Sequence, residues 1–319
     1  MRLRAQFWVF VLCVFGLISP APLAVSQTKP QVSGYFVTHN FELENYNRRY
    51  ILYTPKNAQN LDGPRPLVLV IHGGGGTDRG TIKLDHGRWQ SLADQNGLYI
   101  AYPNAIDRLW DLGKGVISEG LKNRVDDLAY FDYVLDDIAT KKNIDANRIF
   151  SMGMSRGGQA SFLLACNRPE RIRAIMPVTM SVRHVMEDDC RSGPPVGIAI
   201  MNGTNDPLVP YEGGDITLFR RNRGSVLSTD KTVELWRERN GCRDTAPTTS
   251  FIDKPGDKTS VNIFEWSDCS GAPVKLYRVN NGGHTWPSGR QYLPVRRVGE
   301  TSRDINASDE AWAFFSQFK

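Results

Sequence analysis

The residues around Ser155 have the pattern of a serine that could act as a nucleophile. Ser155 stands at the centre of a Gly-x-Ser-x-Gly pentapeptide that runs from Gly153 to Gly157. An apolar run precedes the pentapeptide, and small residues compatible with a helix follow it. Between a strand and a helix, this pattern forms a sharp turn that exposes the serine hydroxyl. Because glycine and serine are also common in surface turns, the pattern indicates acyl transfer only if the chain supplies an acid and a histidine.

The order of the chain selects Asp206 and His284 as these partners. When a serine occupies such a turn, the acid follows it in the sequence and the histidine follows the acid. Asp206 comes shortly after a buried apolar run, and only His284 of the five histidines lies beyond the later apolar runs. We predict that His284 takes the proton of Ser155 and that Asp206 orients the histidine ring. In the alternative interpretation, Asp206 only forms a turn before Pro207.

A run of glycines at 73–76 is a candidate site for the oxyanion that forms when a serine attacks a carbonyl. The backbone N–H of Arg156, the residue after the nucleophile, is one expected donor. For the second donor we favour Gly74, with Gly75 as the next candidate. The run matches neither of the glycine-rich patterns that bind nucleotide phosphates, so nucleotide binding is a poor alternative. We expect no cofactor, and the absence of a Cys-x-x-Cys spacing gives a metal site little support.

Apolar runs alternate with amphipathic segments, and this alternation predicts the fold. Continuous apolar runs predict strands that are covered on both faces, and helical spacing of apolar residues predicts the helices between them. The predicted strands cover residues 34–43, 49–53, 66–71, 98–103, 149–152, 174–178, 196–201 and 273–279. The predicted helices cover residues 89–95, 127–141, 160–166, 232–240 and 307–318. The expected architecture is α/β, with a mostly parallel central sheet and helices on both faces.

Composition and the N-terminus limit the class of protein. The chain has 319 residues, of which 40% are hydrophobic and 23% charged, which argues against disorder and against a multi-span membrane protein. A formal charge of +5 without a basic stripe gives no support for a nucleic-acid partner. Residues 1–26 have a positive start, a short apolar core and a small-x-small cleavage site, which predict a signal peptide. We expect residues 27–319 to be a single secreted domain, extracellular or periplasmic, that is monomeric and free of the membrane.

Four cysteines remain once Cys13 leaves with the signal peptide. An even number in an exported chain suggests two disulfides, although four cysteines allow three pairings. We favour the pairs that are local in sequence, Cys166–Cys190 and Cys242–Cys269. By loop-closure entropy, each would stabilise the fold by roughly 3–4 kcal/mol.

Four short segments resemble the motifs of one esterase family. They are the runs from His72 to Gly75, from Gly153 to Gly158, from Gly203 to Tyr211 and from Gly282 to Pro287. In these motifs the chain resembles secreted polyhydroxybutyrate depolymerase-like esterases, which are related to the feruloyl and acetylxylan esterases of carbohydrate esterase family 1. The resemblance covers nearly the whole mature chain and implies the α/β-hydrolase fold with a triad at Ser155, Asp206 and His284. Arg156 departs from the family, whose members often carry a small or amide residue there.

The spacing between predicted strands bears on the substrate. Fewer than twenty residues separate Val178 from the strand at Val196, too few for a large lid domain, and an open site suits an ester on a polymer. Trp110, Tyr211 and Trp286 fall in loops at strand ends and could stack on a sugar or phenolic ring. Alternatively, they are buried packing residues.

These observations predict a serine carboxylic-ester hydrolase that acts on feruloyl or acetyl esters of plant-wall xylan. The main alternative is a depolymerase of poly- or oligo-hydroxyalkanoate chains, although a linker and a substrate-binding module are absent. A serine peptidase on this fold would usually carry a propeller or cap domain. A non-catalytic binding protein would have no need of an intact triad.

Overall fold

The computed structural model describes residues 32–56, 58, 62–113, 125–218 and 221–319. The signal peptide predicted at residues 1–26 therefore lies outside the described residues. Within the described ranges, no helix has the length and apolar character needed to cross a membrane.

Strands and helices alternate through the central part of the chain. The strands are β1 Tyr35–Leu43, β2 Tyr46–Thr54, β3 Arg65–Ile71, β4 Tyr99–Asn104, β5 Ile144–Met154, β6 Ala174–Val178, β7 Gly197–Gly203, β8 Gly214–Leu218, β9 Arg221–Val226, β10 Thr248–Ile252, β11 Ser260–Trp266 and β12 Val274–Asn280. The α-helices are α1 Asp78–Leu84, α2 Arg88–Asn96, α3 Asp127–Lys141, α4 Arg156–Asn167, α5 Glu187–Arg191, α6 Thr229–Arg239, α7 Val295–Val298 and α8 Ala307–Phe315. Short 3-10 helices cover Ile106–Arg108 and His184–Met186.

Ten strands form one sheet in the order β1-β2-β4-β3-β5-β6-β7-β12-β11-β10, and β8 and β9 form a separate hairpin. The six neighbouring strands from β4 to β12 run parallel. The pairings towards both edges are antiparallel. The mostly parallel centre confirms the predicted fold class.

The central strands pack against two separate cores, one on each face of the sheet. In β3, Leu67, Leu69 and Ile71 belong to one core, while Val68 and Val70 belong to the other. Helices α3, α4 and α6 contribute to the first core, and α2 and α8 contribute to the second. Because successive side chains of a strand point to opposite faces, burial on both faces produces a continuous apolar run.

Two disulfides join neighbouring parts of the chain. Cys166 at the end of α4 bonds to Cys190 in α5, and Cys242 after α6 bonds to Cys269 before β12. These are the pairs that the sequence favours. Between β6 and β7, every residue is described, and this segment holds a 3-10 turn and α5 but no insertion the size of a lid domain.

Candidate active site

Ser155 occupies the sharp turn between β5 and α4. Its backbone angles are φ 58° and ψ −122°, a combination that residues other than glycine rarely adopt. The Ser155 N–H donates to the Val178 carbonyl at the end of β6 (2.8 Å), and the Ser155 carbonyl accepts from the Gln159 N–H in α4 (3.0 Å). The strained turn is therefore held from both sides, as a nucleophile elbow requires.

The glycines on either side of Ser155 lie where backbones cross closely. A Cβ atom on Gly157 would lie 2.2 Å from the Ile71 carbonyl oxygen and 2.8 Å from that of His72. A Cβ atom on Gly153 would lie 2.4 Å from the Gly157 carbonyl carbon. Because these neighbours are backbone atoms of β3 and α4, no side-chain rotation can make room, and only glycine fits at either position.

Asp206 follows β7, His284 follows β12, and their buried side chains are directly hydrogen-bonded. His284 Nδ1 lies 2.7 Å from Asp206 Oδ2. The other carboxylate oxygen, Oδ1, accepts from the N–H groups of Leu208 (2.8 Å) and Val209 (2.9 Å). Since a carboxylate only accepts, Nδ1 carries the proton, and Nε2 of the neutral ring is left to accept a proton from serine.

Parallel strands bring all three predicted triad residues to one edge of the sheet. Ser155 follows β5, and β6, β7 and β12 are the next strands in the sheet, so Asp206 and His284 lie beyond neighbouring carboxyl ends. The Asn205 N–H donates to the Gly282 carbonyl (2.9 Å), which joins the two loops that carry the acid and the histidine. Among the described residues, Ser155 Oγ has no hydrogen bond to either partner. In unliganded serine enzymes this bond is often long and shortens when substrate binds.

Two N–H groups of the glycine run donate to backbone carbonyls within the protein. The Gly75 N–H donates to the Arg108 carbonyl (2.9 Å), and the Gly76 N–H donates to the Gly73 carbonyl (2.9 Å). The expectation that Gly75 might complete the oxyanion site is therefore wrong, because its donor is occupied. The Gly74 N–H has no backbone acceptor among the described residues and stays the favoured donor.

Arg156 uses its backbone and its side chain for different purposes. Its N–H is the first of α4 and has no acceptor within the helix, as the oxyanion role requires. Its guanidinium donates from Nε (2.9 Å) and Nη2 (2.7 Å) to the Trp110 carbonyl. Burial is the main cause that lowers the pKa of this guanidinium to about 10, so it stays protonated at neutral pH. The Arg156 side chain thus fastens the turn at Ser155 to the loop that carries Trp110.

Trp110 packs beneath the glycine run at 73–76. Its side chain is 0% exposed, and its indole N–H donates to the His72 carbonyl (2.8 Å). The indole ring lies 4.7 Å from the His72 ring and 5.1 Å from the Phe131 ring, centroid to centroid. The expectation that Trp110 stacks on a substrate ring is therefore wrong, since the indole is fully buried and packs against rings of the core.

Trp286 and Tyr211 are also packing residues, with exposures of 1% and 5%. Trp286 belongs to the core that α2 and α8 cover. The Tyr211 hydroxyl donates to Asp230 Oδ1 (3.2 Å), and the Arg278 guanidinium lies 5.5 Å from the centre of the tyrosine ring. Neither aromatic side chain offers a surface to substrate, so the expectation for these two positions is wrong as well.

His72 is a positioning residue that the sequence reasoning missed, although it directly precedes the glycine run. Its Nε2 accepts from the Ala105 N–H (3.1 Å), so its Nδ1 carries the proton and donates to the Gly73 carbonyl (2.8 Å). Burial lowers the pKa of the ring to about 4. An uncharged imidazole therefore holds the start of the glycine run against the chain at Ala105.

The lowered pKa of His72 predicts that the stability of the fold depends on pH. Between about pH 6.5 and pH 4 the unfolded chain binds a proton at His72 that the folded protein does not bind. The contribution of His72 to the free energy of unfolding therefore falls as the pH falls through this window, by about 1.4 kcal/mol per pH unit and roughly 3 kcal/mol in total. Urea unfolding at pH 7 and pH 4.5 measures the loss. We expect the loss to be smaller in His72→Gln and unchanged in His184→Gln, which alters an exposed histidine; equal losses in all three proteins would contradict the assignment.

Tyr292 is a second residue beside the candidate site that no sequence motif indicates. Its hydroxyl donates to the His284 carbonyl (2.9 Å), and its side chain is 38% exposed. Burial of the hydroxyl, together with the negative charge of Asp206, raises the pKa of the phenol. Tyr292 therefore supports the histidine loop and presents an aromatic surface beside it.

No protein-family model matches this chain. Several named proteins are nevertheless similar to it in sequence over most of its length. A protein of Nocardia uniformis subsp. tsuyamanensis named as an esterase, NocK, is 25% identical over 93% of this chain and 90% of its own length. Feruloyl esterase D of Neurospora crassa is 25% identical over 90% of this chain and 87% of its own. The solved structure of an acetyl xylan esterase from Aspergillus awamori superposes with a TM-score of 0.57 at 15% identity, covering 88% of this chain and 99% of that one. The chain therefore has the α/β-hydrolase fold and is similar in sequence to proteins named as esterases.

Proposed function

We propose that this protein is a serine carboxylic-ester hydrolase that works through an acyl-enzyme. The hydrogen bond between Asp206 Oδ2 and His284 Nδ1 carries the proposal, because it orients a neutral imidazole whose free Nε2 can accept a proton. His284 takes the proton of Ser155 as Oγ attacks the ester carbonyl carbon. The N–H groups of Arg156 and Gly74 stabilise the negative oxygen of the tetrahedral intermediate.

The second half of the cycle uses the same groups. His284 returns the proton to the departing alcohol oxygen, which leaves the acyl group bound to Ser155 as an ester. His284 then takes a proton from water, whose oxygen attacks the acyl carbonyl, and returns it to Ser155 Oγ. The products are one alcohol and one carboxylic acid for each ester and water consumed.

The proposed substrates are feruloyl or acetyl esters carried by plant-wall xylan. The names of the Neurospora and Aspergillus relatives support this class. The short segment between β6 and β7 supports it too, because the site has no lid-sized cover in the described residues. The proposal includes an exported, monomeric enzyme with one domain over residues 27–319, and its two disulfides suit an oxidising compartment.

Active-site labelling and a substrate panel test this function. A fluorophosphonate should label the wild-type protein and Ser192→Ala, which alters an exposed serine, but should not label Ser155→Ala. The panel contains methyl ferulate, acetylated xylan, hydroxybutyrate oligomers and a peptide amide. We expect hydrolysis of at least one xylan-type ester. Cleavage of the amide alone, or equal labelling of Ser155→Ala, would contradict the proposal, and exclusive cleavage of the oligomers would move it to polyester substrates.

A further inference from the structure

Asp127 is a buried carboxylate that holds the loop carrying Trp110. It is the first residue of α3 and is 0% exposed. Its Oδ2 accepts from the Asp111 N–H (2.6 Å), and its Oδ1 accepts from Arg48 Nη2. The Val125 N–H donates in turn to Asp111 Oδ2 (3.3 Å), so the loop is bonded to the start of α3 in two places. The position of Asp111, and of Trp110 directly before it, therefore depends on Asp127.

Trp110 connects this loop to the two stretches of chain that carry the expected oxyanion donors. Its carbonyl accepts from the Arg156 guanidinium, whose Nε and Nη2 lie 2.9 Å and 2.7 Å away. Its indole N–H donates to the carbonyl of His72 (2.8 Å), the residue directly before the glycine run. A continuous series of covalent bonds and hydrogen bonds thus leads from the Asp127 carboxylate to Arg156, which follows Ser155 in the chain.

Four buried or half-buried charges lie along this connection. They are the cations Arg48 and Arg156 and the anions Asp111 and Asp127. Burial and the charge of Arg183 lower the pKa of the Arg156 guanidinium, and the negative charges of the two carboxylates act in the opposite direction. The Arg48 guanidinium lies 3.9 Å from the centre of the Tyr130 ring, and its Nε is buried without an acceptor in the described structure. The two cations are balanced only while both carboxylates are ionised.

The carboxyl of Asp127 changes its charge within an accessible pH range. Burial is the main cause that raises its pKa to about 6, although the charge and the hydrogen bond of Arg48 lower it. Protonation removes one negative charge and weakens the bond from the Asp111 N–H, because a neutral oxygen accepts more weakly than a carboxylate. The Tyr130 phenol stays neutral throughout this range, since burial raises its pKa. The charge along the connection therefore changes near pH 6.

We propose that Asp127 is a positioning residue of the reaction, whose negative charge holds the loop at Trp110 and, through it, the oxyanion donor of Arg156. This inference rests on the proposed esterase function and adds a residue that acts through other residues rather than by contact with substrate. While Asp127 is charged, the Trp110 carbonyl fixes the Arg156 guanidinium and keeps the Arg156 N–H in place. When Asp127 is neutral, this support loosens. The loss falls on the transition state, because the oxyanion forms only there.

Asp127→Asn tests the proposal, because asparagine resembles the neutral carboxylic acid in shape. The measurement is the hydrolysis of a chromogenic acetyl ester by wild type and variant between pH 5 and pH 8. At pH 8 we expect kcat of the variant to be about tenfold lower, with KM changed by less than about twofold. The titration of His284 affects both proteins and cancels in the ratio of their kcat values. This ratio should fall to about one at pH 5, with a midpoint near pH 6. A ratio that does not change with pH would overturn the proposal and leave Asp127 a structural role only.

Further variants test the route through Arg156. Arg156→Met removes the guanidinium and keeps the backbone N–H, so it should lower kcat at pH 8 by a similar factor. Adding Asp127→Asn to it should cause little further loss, because both changes break the same connection. Losses that multiply would overturn the proposed route. Asp136→Asn, which alters a carboxylate of α3 whose side chain is 69% exposed, should keep wild-type kcat at every pH. If Asp127→Asn does not fold, its combination with Arg48→Gln, which leaves no buried cation behind, takes its place.

The rate of fluorophosphonate labelling keeps this inference distinct from the esterase proposal. The phosphoryl oxygen of the reagent takes the place of the oxyanion when Ser155 Oγ attacks phosphorus and fluoride leaves. We expect labelling of Asp127→Asn to be about tenfold slower than that of wild type at pH 8, and equally fast at pH 5. This difference in a protein that hydrolyses none of the esters tested would overturn the proposed function alone. Ester hydrolysis with a ratio independent of pH in both assays would overturn this inference alone.

Discussion

Replacing Asp206 by asparagine is expected to lower kcat about 10⁴-fold. The asparagine carbonyl oxygen can keep the two bonds that Asp206 Oδ1 accepts from Leu208 and Val209. Its NH₂ group then takes the place of Oδ2 and faces His284 Nδ1. Because an amide NH₂ donates, Nδ1 must become the acceptor and the ring proton moves to Nε2. The ring can then no longer take the proton of Ser155.

The measurement is the steady-state hydrolysis of a chromogenic acetyl ester by wild type, Asp206→Asn and Asp253→Asn. Asp253 is exposed and provides the matched control. We expect full activity in the control and an unchanged melting temperature in Asp206→Asn, since its backbone bonds survive. A kcat for Asp206→Asn within tenfold of wild type would show that another acid orients the histidine.

Replacing Gly157 by alanine is expected to destabilise the fold by more than about 3 kcal/mol and to abolish activity. The new methyl group would lie 2.2 Å from the Ile71 carbonyl oxygen, at the end of the central strand β3. Neighbouring strands and both cores hold this carbonyl in place, so the elbow or α4 must move. Either movement displaces Ser155 Oγ from the histidine.

Gly74→Ala is the matched control for stability. A Cβ atom on Gly74 would lie 3.7–3.9 Å from its nearest neighbours, which is ordinary van der Waals contact. Urea unfolding should therefore show a stability near that of wild type for Gly74→Ala and a large loss for Gly157→Ala. Equal stabilities for the two variants would mean that the crossing of β3 and α4 is looser than the structure indicates.

The strands at the centre of the sheet could be predicted from the sequence, because a strand buried on both faces consists of consecutive apolar residues. Residues 66–71 and 196–201 were predicted as strands and correspond to β3 and β7. Strands β10 and β11 and the hairpin β8–β9 were missed. Their side chains are mostly exposed or half-buried, so little hydrophobic pattern distinguishes them from loops.

Chain order was enough to select Asp206 and His284, which the structure brings into contact. It could not reveal that the Gly75 N–H was already donated to Arg108, because this depends on a loop thirty-three residues away. Nor could it tell whether Trp110 faces substrate or core, since an indole suits both environments. The role of the Arg156 side chain depends on its contact with the Trp110 carbonyl, which no sequence pattern indicates.

Hairpin β8–β9 pairs with no strand of the ten-stranded sheet in the described part of the chain, whereas Ser155, Asp206 and His284 all follow strands of that sheet. Two hydrogen bonds nevertheless join this hairpin to neighbouring loops: the Thr217 N–H donates to the Leu208 carbonyl (3.2 Å), and the Leu227 N–H, directly after the hairpin, donates to the Val182 carbonyl (2.8 Å). A substitution in the hairpin can therefore shift the loop that carries Asp206 without disturbing any strand pairing of the large sheet.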